Sequence, residues 1–219
     1  MNRAALFDVD GTLTDTNHLH VTCWWEALRQ AGHTVPMHRV HRALGLPGDD
    51  LIAYLLGDDR DKSEDDTLSA AHDTLYGTYF DRLKSFDRAA ELLRELDRSG
   101  WRVVLVTSAS RGELEALTKA IDADDALTAT ASSDDVSEGK PAPDPVHHAL
   151  ELAGAAAGQA VFVGDSVWDM KAAARAGVTA VGLLCGGIPG ADLVEAGARA
   201  VYRDPADLLE HIGRSPLAR

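Results

Sequence analysis

Two carboxylates one residue apart, Asp8 and Asp10, stand where a short apolar run ends in "ALFDVDGTLTDT". In an extended chain alternate side chains share a face, so both acids are expected on one side of a strand as it leaves its sheet. Gly11 and Thr12 follow at the point of departure. Three other segments carry polar groups at comparable places. "WRVVLVT" runs into Thr107 and Ser108, "AVFVGD" into Asp165 and Ser166 with Asp169 one helical turn later, and Lys140 lies in the turn-rich "EGKPAPDP". Ligands of an open α/β sheet bind beyond the carboxyl ends of its strands, so the four segments deliver carboxylates, a hydroxyl and an ammonium to one rim. Taken singly, each has a plain structural use. An Asp forms turns, Thr and Ser satisfy backbone groups at a strand end, Ser166 and Asp169 fit a capping box, and a Lys is usually solvated. Taken together they conflict, because Asp8, Asp10 and Asp165 in one small space cannot all stay ionised without compensation. A hard cation with oxygen ligands resolves the conflict, and Mg²⁺ typically combines a few carboxylates with waters and a substrate phosphate.

Charge sharpens the point. The chain has 219 residues, and 21 Lys and Arg against 35 Asp and Glu give a net charge of −14 with His neutral. That balance argues against general nucleic-acid or anionic-membrane binding, and it makes phosphate binding puzzling unless a cation is present. Hydrophobic residues make up 45%, with no run long enough to cross a bilayer. The "DVDG" run arrives within ten residues of the start, leaving no room for a signal peptide. Cys23 and Cys185 are far apart and lack metal-type spacing, so a reduced, cytoplasmic setting is expected, with a single disulfide left open.

The elements that must position these groups follow from the hydropathy pattern. Strands are expected at 3–8, 101–107, 160–165 and 178–184, with weaker ones at 126–132 and 198–202. The strong runs are continuously apolar, as strands covered on both faces of a parallel sheet are. Helical stretches alternate with them: "SRGE" at 110–113 reads as a capping box, Asp144–Pro145 opens a helix that Gly154 ends, and another ends at Gly177. The alternation points to a doubly wound, Rossmann-like α/β sheet. Residues 15–84 break the pattern, reading as helices at 17–31, 37–44, 49–56 and 64–83. About 70 residues there far exceed an ordinary strand-to-helix connection. The expected organisation is a core of 1–14 and 85–219 with a helical cap at 15–84. The charged loop "GDDRDKSEDD" lacks the glycine and terminal Glu of an EF-hand.

"DVDGTLTDT", "VVLVTSAS", "EGKPAPDP" and "VFVGDSVWDMKAAARAG" resemble, in order, the four motifs of the haloacid dehalogenase superfamily of phosphohydrolases. The insertion resembles the branch with a helical cap after the first motif, which includes phosphoglycolate-phosphatase-like and β-phosphoglucomutase-like enzymes. The resemblance implies that Asp8 is the nucleophile and forms an aspartyl phosphate. It makes Asp10 the acid that protonates the leaving oxygen and then the base that activates water. It gives Thr107 a hydrogen bond to a phosphoryl oxygen, Lys140 the charge beside Asp8, and Mg²⁺ the ligands Asp8, the Asp10 main-chain carbonyl and Asp165. Asp169 supports from behind, and backbone N–H groups near Gly11 and Ser108 add phosphate contacts.

Remaining candidates rank lower. His20, Trp24 and Leu28 form a helical stripe whose default use is packing. A His at this place resembles one in the mutase-like relatives, so His20 is kept as a substrate contact. The cap residues His38, Arg39, His41, Arg42 and Asp49 are candidate readers of the leaving group. The expected activity is Mg²⁺-dependent hydrolysis of a small phosphorylated metabolite, by a monomer or weak dimer with no nucleic-acid or membrane partner. A phosphosugar mutase is the first alternative, although "LGLPGDD" at 44–50 lacks an Arg to hold a second phosphate. A non-catalytic, receiver-like phosphate binder is the second; receiver domains take their acidic residues from different strands and lack so long an insertion.

Overall fold

The apolar runs form the strands expected of them in a computed structural model, which describes residues 2–132 and 135–218 apart from the side chain of Arg111. Met1, Ser133, Asp134 and Arg219 fall in the segments expected to form the core and lie outside the described residues. The strands are β1 (Arg3–Phe7), β2 (Trp101–Val106), β3 (Ala129–Ala131), β4 (Ala160–Gly164), β5 (Thr179–Leu183) and β6 (Ala198–Tyr202). All pair in parallel in the order β3-β2-β1-β4-β5-β6. The chain winds outward from β1 to β3, then returns to place β4 on the other side of β1. That reversal opens a crevice beyond the carboxyl ends of β1 and β4.

Helices cover both faces. Ala5 and Phe7 of β1 point into one apolar layer with Leu92, Leu93 and Leu96 of α5 (Ala89–Arg98), Leu117 of α6 (Arg111–Ile121) and Leu208 of α10 (Pro205–Glu210). Ala4 and Leu6 point into the other, with Val146 and Ala149 of α7 (Asp144–Ala153), Met170 and Ala173 of α8 (Val167–Arg175) and Leu193 of α9 (Gly190–Ala196). Period-two alternation on a strand buried on both sides produces this division. Each fully buried Leu contributes roughly 1.5–3 kcal/mol relative to exposure.

The insertion between β1 and β2 contains α1 (Asn17–Gln30), α2 (Met37–Ala43), α3 (Gly48–Leu56) and α4 (Asp65–Gly77). Val21, Trp24 and Leu28 of α1 meet Val40, Leu51, Ile52, Leu55 and Leu68 in a separate apolar cluster. The stretch expected as one helix over 64–83 is shorter: α4 ends at Gly77, and Phe80–Arg82 form a separate 3₁₀ turn. Glycine weakens a helix by about 1 kcal/mol, and the next residue, Thr78, turns its hydroxyl back onto the Leu75 carbonyl at 2.7 Å. The charged loop ties its own ends, with the Arg60 guanidinium forked onto Asp65 at 2.7 and 3.0 Å. The two crossings between insertion and sheet lie side by side. Asp15 N–H donates to the Lys84 carbonyl at 2.9 Å, Phe86 N–H to the Leu13 carbonyl at 2.8 Å, and Thr14 bridges Ser85 in antiparallel fashion.

Candidate active site

β1 stops at Phe7, but its pairing with β4 continues one step, because Asp8 N–H donates to the Val163 carbonyl at 2.9 Å. Asp8 is thereby fixed by backbone at the crevice floor, with only 6% of its surface exposed. Lys140, 1% exposed, sets Nζ 2.5 Å from Asp8 Oδ1, 2.8 Å from Asp169 Oδ1 and 3.0 Å from the Val106 carbonyl. Lys140 is thus not the solvated surface Lys of the plain reading but stands beside Asp8, where the resemblance put it, with three oxygen partners inside the core. Asp169 uses its other oxygen in the capping box of α8, accepting from Ser166 N–H and Oγ–H at 3.0 and 2.7 Å. One residue thus caps a helix and holds the lysine.

Asp165 lies at the end of β4, next to Asp8, and has no lysine. It accepts from Asn17 Nδ2 at 2.8 Å and from the Thr12 hydroxyl at 3.0 Å. The same Thr12 hydroxyl lies 3.1 Å from Asp8 Oδ2. A hydroxyl has one proton, so at any moment one of these two buried carboxylates lacks that donor. Room for Asp165 is left by glycine. A Cβ on Gly186 would stand 1.8 Å from Asp165 Oδ2, and one on Gly11, whose φ is +75°, would stand 2.2 Å from Asn17 Nδ2. Backbone N–H groups near Gly11 are the expected phosphate donors; the N–H of Gly11 itself donates to the Thr14 carbonyl at 2.8 Å, and the position contributes space and a left-handed turn.

Asp10 lines the same cavity as Asp8 and Asp165, as expected, but its carboxyl is held by different partners. Beyond β1 the chain turns, and the Asp10 carboxyl joins a second group. Its Oδ1 accepts from the Thr16 hydroxyl at 2.6 Å and lies 3.2 Å from His20 Nε2, which is 3.4 Å from Glu113 Oε1. His20 Nδ1 is 3.1 Å from His72 Nε2, and His72 Nδ1 is 2.9 Å from Asp73 Oδ1. Tyr76 stacks on His20 and Trp24 on His72, with ring centroids 3.9 and 4.3 Å apart. His20, expected as a substrate contact with packing as the default, therefore reaches the core acid directly.

The electrostatics of the two groups differ. Burial raises the Asp8 carboxyl to about 7 even though Lys140 opposes it, and burial with the Asp8 and Asp169 charges raises Asp165 well above the carboxylate range. Burial also acts on Asp10, but the hydrogen bonds and charge of His20 and Thr16 outweigh it and hold Asp10 low. His20 is held high because Asp10 and Glu113 overcome its own burial, and burial lifts Glu113 to about 7.

A cavity of about 330 Å³ opens onto both groups, lined by Asp8, Asp10, Glu113 and Asp165 of the core and by His20, Trp24, Leu46, Asp49, His72 and Asp73 of the insertion. Ser108 also lines it and donates to the Gly45 carbonyl at 3.2 Å. Thr107 is placed differently: its hydroxyl accepts from Ala109 N–H at 3.0 Å, and it lines a neighbouring cavity of about 110 Å³ with Lys140 and Ser108. Among the suggested cap readers only Asp49 faces the main cavity. Arg39 bonds the Leu55 carbonyl, His41 the Gly186 carbonyl and Arg42 the Asp192 carboxylate, while His38 is exposed on the outer side of α2. The missed residues are Glu113, read only as the acid of a capping box, His72 and Asp73, which carry no local signal, and Asn17. The spacing of Asn17, His20 and Trp24 on one face of α1 was the available clue to the last.

The donor set fits a divalent cation. Oxygens of Asp8, Asp165 and Asp169 all lie within 4.8 Å of one another. Three carboxylates against the single ammonium of Lys140 leave two negative charges, and Asp169 is already committed to Ser166 and Lys140. Asp8 and Asp165 remain to face a hard ion through oxygen.

The chain resembles known proteins along most of its length. The family profile for haloacid dehalogenase-like hydrolases matches residues 2–177. The pyrophosphatase PpaX of Bacillus cereus is 31% identical over 176 residues, 78% of each chain. A crystal structure of a hydrolase from Pseudomonas syringae superposes with a TM-score of 0.92 at 34% identity, over 97% of this chain and 99% of that one. A candidate phosphoglycolate phosphatase from Lactobacillus plantarum gives 0.83 at 27% identity, over 96% and 99%.

Proposed function

The chain belongs to the haloacid dehalogenase-like hydrolases and is a phosphatase of that family, and on that premise we propose a Mg²⁺-dependent phosphomonoesterase that works through a phosphorylated Asp8. The observation that carries the reading is Asp8 on the floor of a small cavity, gripped by Lys140, with Asp10 opening onto the same space from a different set of partners. An Asp8 oxygen attacks phosphorus, and the bond from phosphorus to the ester oxygen breaks. Asp10 gives its proton to that oxygen, and the alcohol leaves. Asp10, now a carboxylate, takes a proton from water as the water attacks phosphorus, so inorganic phosphate and free Asp8 are regenerated. Lys140 offsets charge on Asp8 and the phosphoryl group throughout, and Asp169 keeps Lys140 in place. Thr107 and Ser108 bind phosphoryl oxygens from the end of β2. Asp8, Asp165 and the Asp10 main-chain carbonyl would hold Mg²⁺, which when bound neutralises charge on the transferring group.

The substrate is a small phosphate ester of the sugar-phosphate or phosphoglycolate type, and the insertion acts as a cap that reads its leaving group. A cavity of about 330 Å³ suits such a molecule. The PpaX relative adds pyrophosphate to the compounds worth testing. A mutase needs a grip on a second phosphate, and among the described residues lining the cavity none is Lys or Arg. The test is phosphate release with Mg²⁺ from hexose phosphates, phosphoglycolate, pyrophosphate and an aryl phosphate. Release equal to substrate consumed supports hydrolysis. Isomerisation of a hexose 1-phosphate primed by a sugar bisphosphate, with almost no phosphate released, would overturn it.

A further inference from the structure

The contacts from Asp10 to Asp73 form an unbroken series of three, at 3.2, 3.1 and 2.9 Å, that begins at a half-buried core carboxylate and ends at a side chain 71% exposed. Such a series can be solved for its protons. A carboxylate only accepts, so His72 carries a proton on Nδ1 and donates it as a hydrogen bond to Asp73. Burial lowers the His72 pKa, which favours the neutral ring. A neutral ring with its proton on Nδ1 offers a lone pair at Nε2 and nothing else. The facing atom, His20 Nδ1, must then carry a proton and donate it. This leaves His20 Nε2 facing Asp10 on one side and Glu113, at 3.4 Å, on the other.

We propose that His72 and Asp73 are positioning residues that fix the tautomer of His20, holding a proton on its Nδ1 and presenting Nε2 to Asp10. The inference rests on the role given to Asp10 above and adds residues from α4 to it. Its chemical content is a matter of which partner donates. A neutral His20 with its proton on Nε2 could only donate to Asp10, and so would favour the carboxylate alone. With the proton on Nδ1, Nε2 accepts from a protonated Asp10, and once Nε2 takes that proton it donates to the Asp10 carboxylate. The single proton between the two atoms is conserved in both arrangements. Asp10 can therefore serve first as acid and then as base beside the same imidazole without a ring flip. Trp24 and Tyr76, stacked on the two rings, keep the series in register.

The test reads the tautomer directly. Protein labelled with ¹⁵N at its nine histidines gives ring-nitrogen shifts that separate protonated from unprotonated nitrogen, and His20→Gln identifies the His20 signals by their loss. At a pH high enough to make the His20 ring neutral, wild-type protein should show Nδ1 protonated and Nε2 unprotonated. Asp73→Ala alters an exposed side chain and frees His72 to place its proton on Nε2, so His20 should shift toward the Nε2–H tautomer. His72→Phe keeps a ring between Trp24 and Tyr76 and removes the acceptor. In both variants kcat for an aryl phosphate should fall about tenfold or more with KM little changed, while Asp73→Glu should restore most of the loss. An unprotonated His20 Nδ1 in the wild type, or an unchanged tautomer in Asp73→Ala, overturns the inference whatever the activity. A wild type that hydrolyses no phosphate compound overturns the function proposed above, and the tautomer shift then decides this inference by itself.

Discussion

Asp8 and Asp10 are separated by one residue, yet their carboxyls live in different kinds of structure. Asp8 and Asp165 stand at the ends of β1 and β4, Lys140 precedes α7 and Asp169 lies on α8, so the sheet and the helices packed on it hold this group, with Asn17 of α1 reaching Asp165 from the insertion. Asp10 with Thr16, His20 and His72 depends on α1 and α4, and so on how the insertion sits. The first group is buried and short of positive charge; the second balances a carboxylate against an imidazole. On the function proposed above, the difference separates a site crowded with acids that would hold a cation and a phosphoryl group from one that would change protonation state during turnover. Chemistry at Asp8 is a property of the sheet, whereas chemistry at Asp10 is a property of the docked insertion.

Lesions should fall into two classes accordingly. Asp8→Asn removes the nucleophile and should lower turnover by more than about 10⁴-fold while circular dichroism stays native. Retention of even a tenth of the wild-type rate would point to another nucleophile. Chelation of Mg²⁺ should likewise take activity to background, with recovery on adding Mg²⁺ and poor recovery with Ca²⁺, whose looser coordination suits the site less well. The ion should also raise the melting temperature, because ligand at about 100 times its Kd adds roughly 2.7 kcal/mol to stability; an unchanged melting temperature would place the ion elsewhere. Lys140→Met leaves Asp8 and Asp169 buried without their cation and should cost about 3–5 kcal/mol in denaturant unfolding, besides abolishing activity.

The second class should spare the fold. His20→Gln should reduce kcat by about 10²-fold, the lower end of what lost acid–base help costs, with an unfolding midpoint close to wild type. A large stability loss there would make His20 a packing residue after all. The smallest effect is expected at Trp168, which donates from Nε1 to the Arg42 carbonyl at 3.1 Å and meets Tyr54 edge-on at 5.5 Å, joining α8 to the insertion. Trp168→Ala should cost about 0.5–1.5 kcal/mol and show in KM before it shows in kcat.

The sheet and its rim were legible in the sequence because they rest on local signals. Continuous apolar runs mark strands buried on both faces, and each motif residue lies at the end of such a run. All six strands appear where the pattern put them, and Asp8, Lys140, Asp165 and Asp169 come together from segments up to 161 residues apart. The insertion was legible as helices, but not in what its side chains face. Four of the five polar residues suggested as readers, His38, Arg39, His41 and Arg42, lie on α2, which turns them toward the core rim or solvent. The residues that meet His20 behind Asp10 were hidden for separate reasons. Glu113 fits a capping motif so well that its longer reach went unseen, and His72 acquires meaning only when α4 packs on α1. A helix announces its apolar face locally; which neighbour its polar residues find is decided by tertiary packing.

The paired crossings at Asp15–Lys84 and Leu13–Phe86 have a consequence for ancestry and engineering. To the sheet, residues 15 to 84 amount to one oversized hairpin grown from a single point of attachment, whose two stems lie about 5 Å apart. Everything beyond that stem can be lengthened, exchanged with another helical bundle or cut back to a tight turn without disturbing a strand register. On this geometry a change of leaving group calls for a new graft on the old stem and leaves the strand ends beneath it in place.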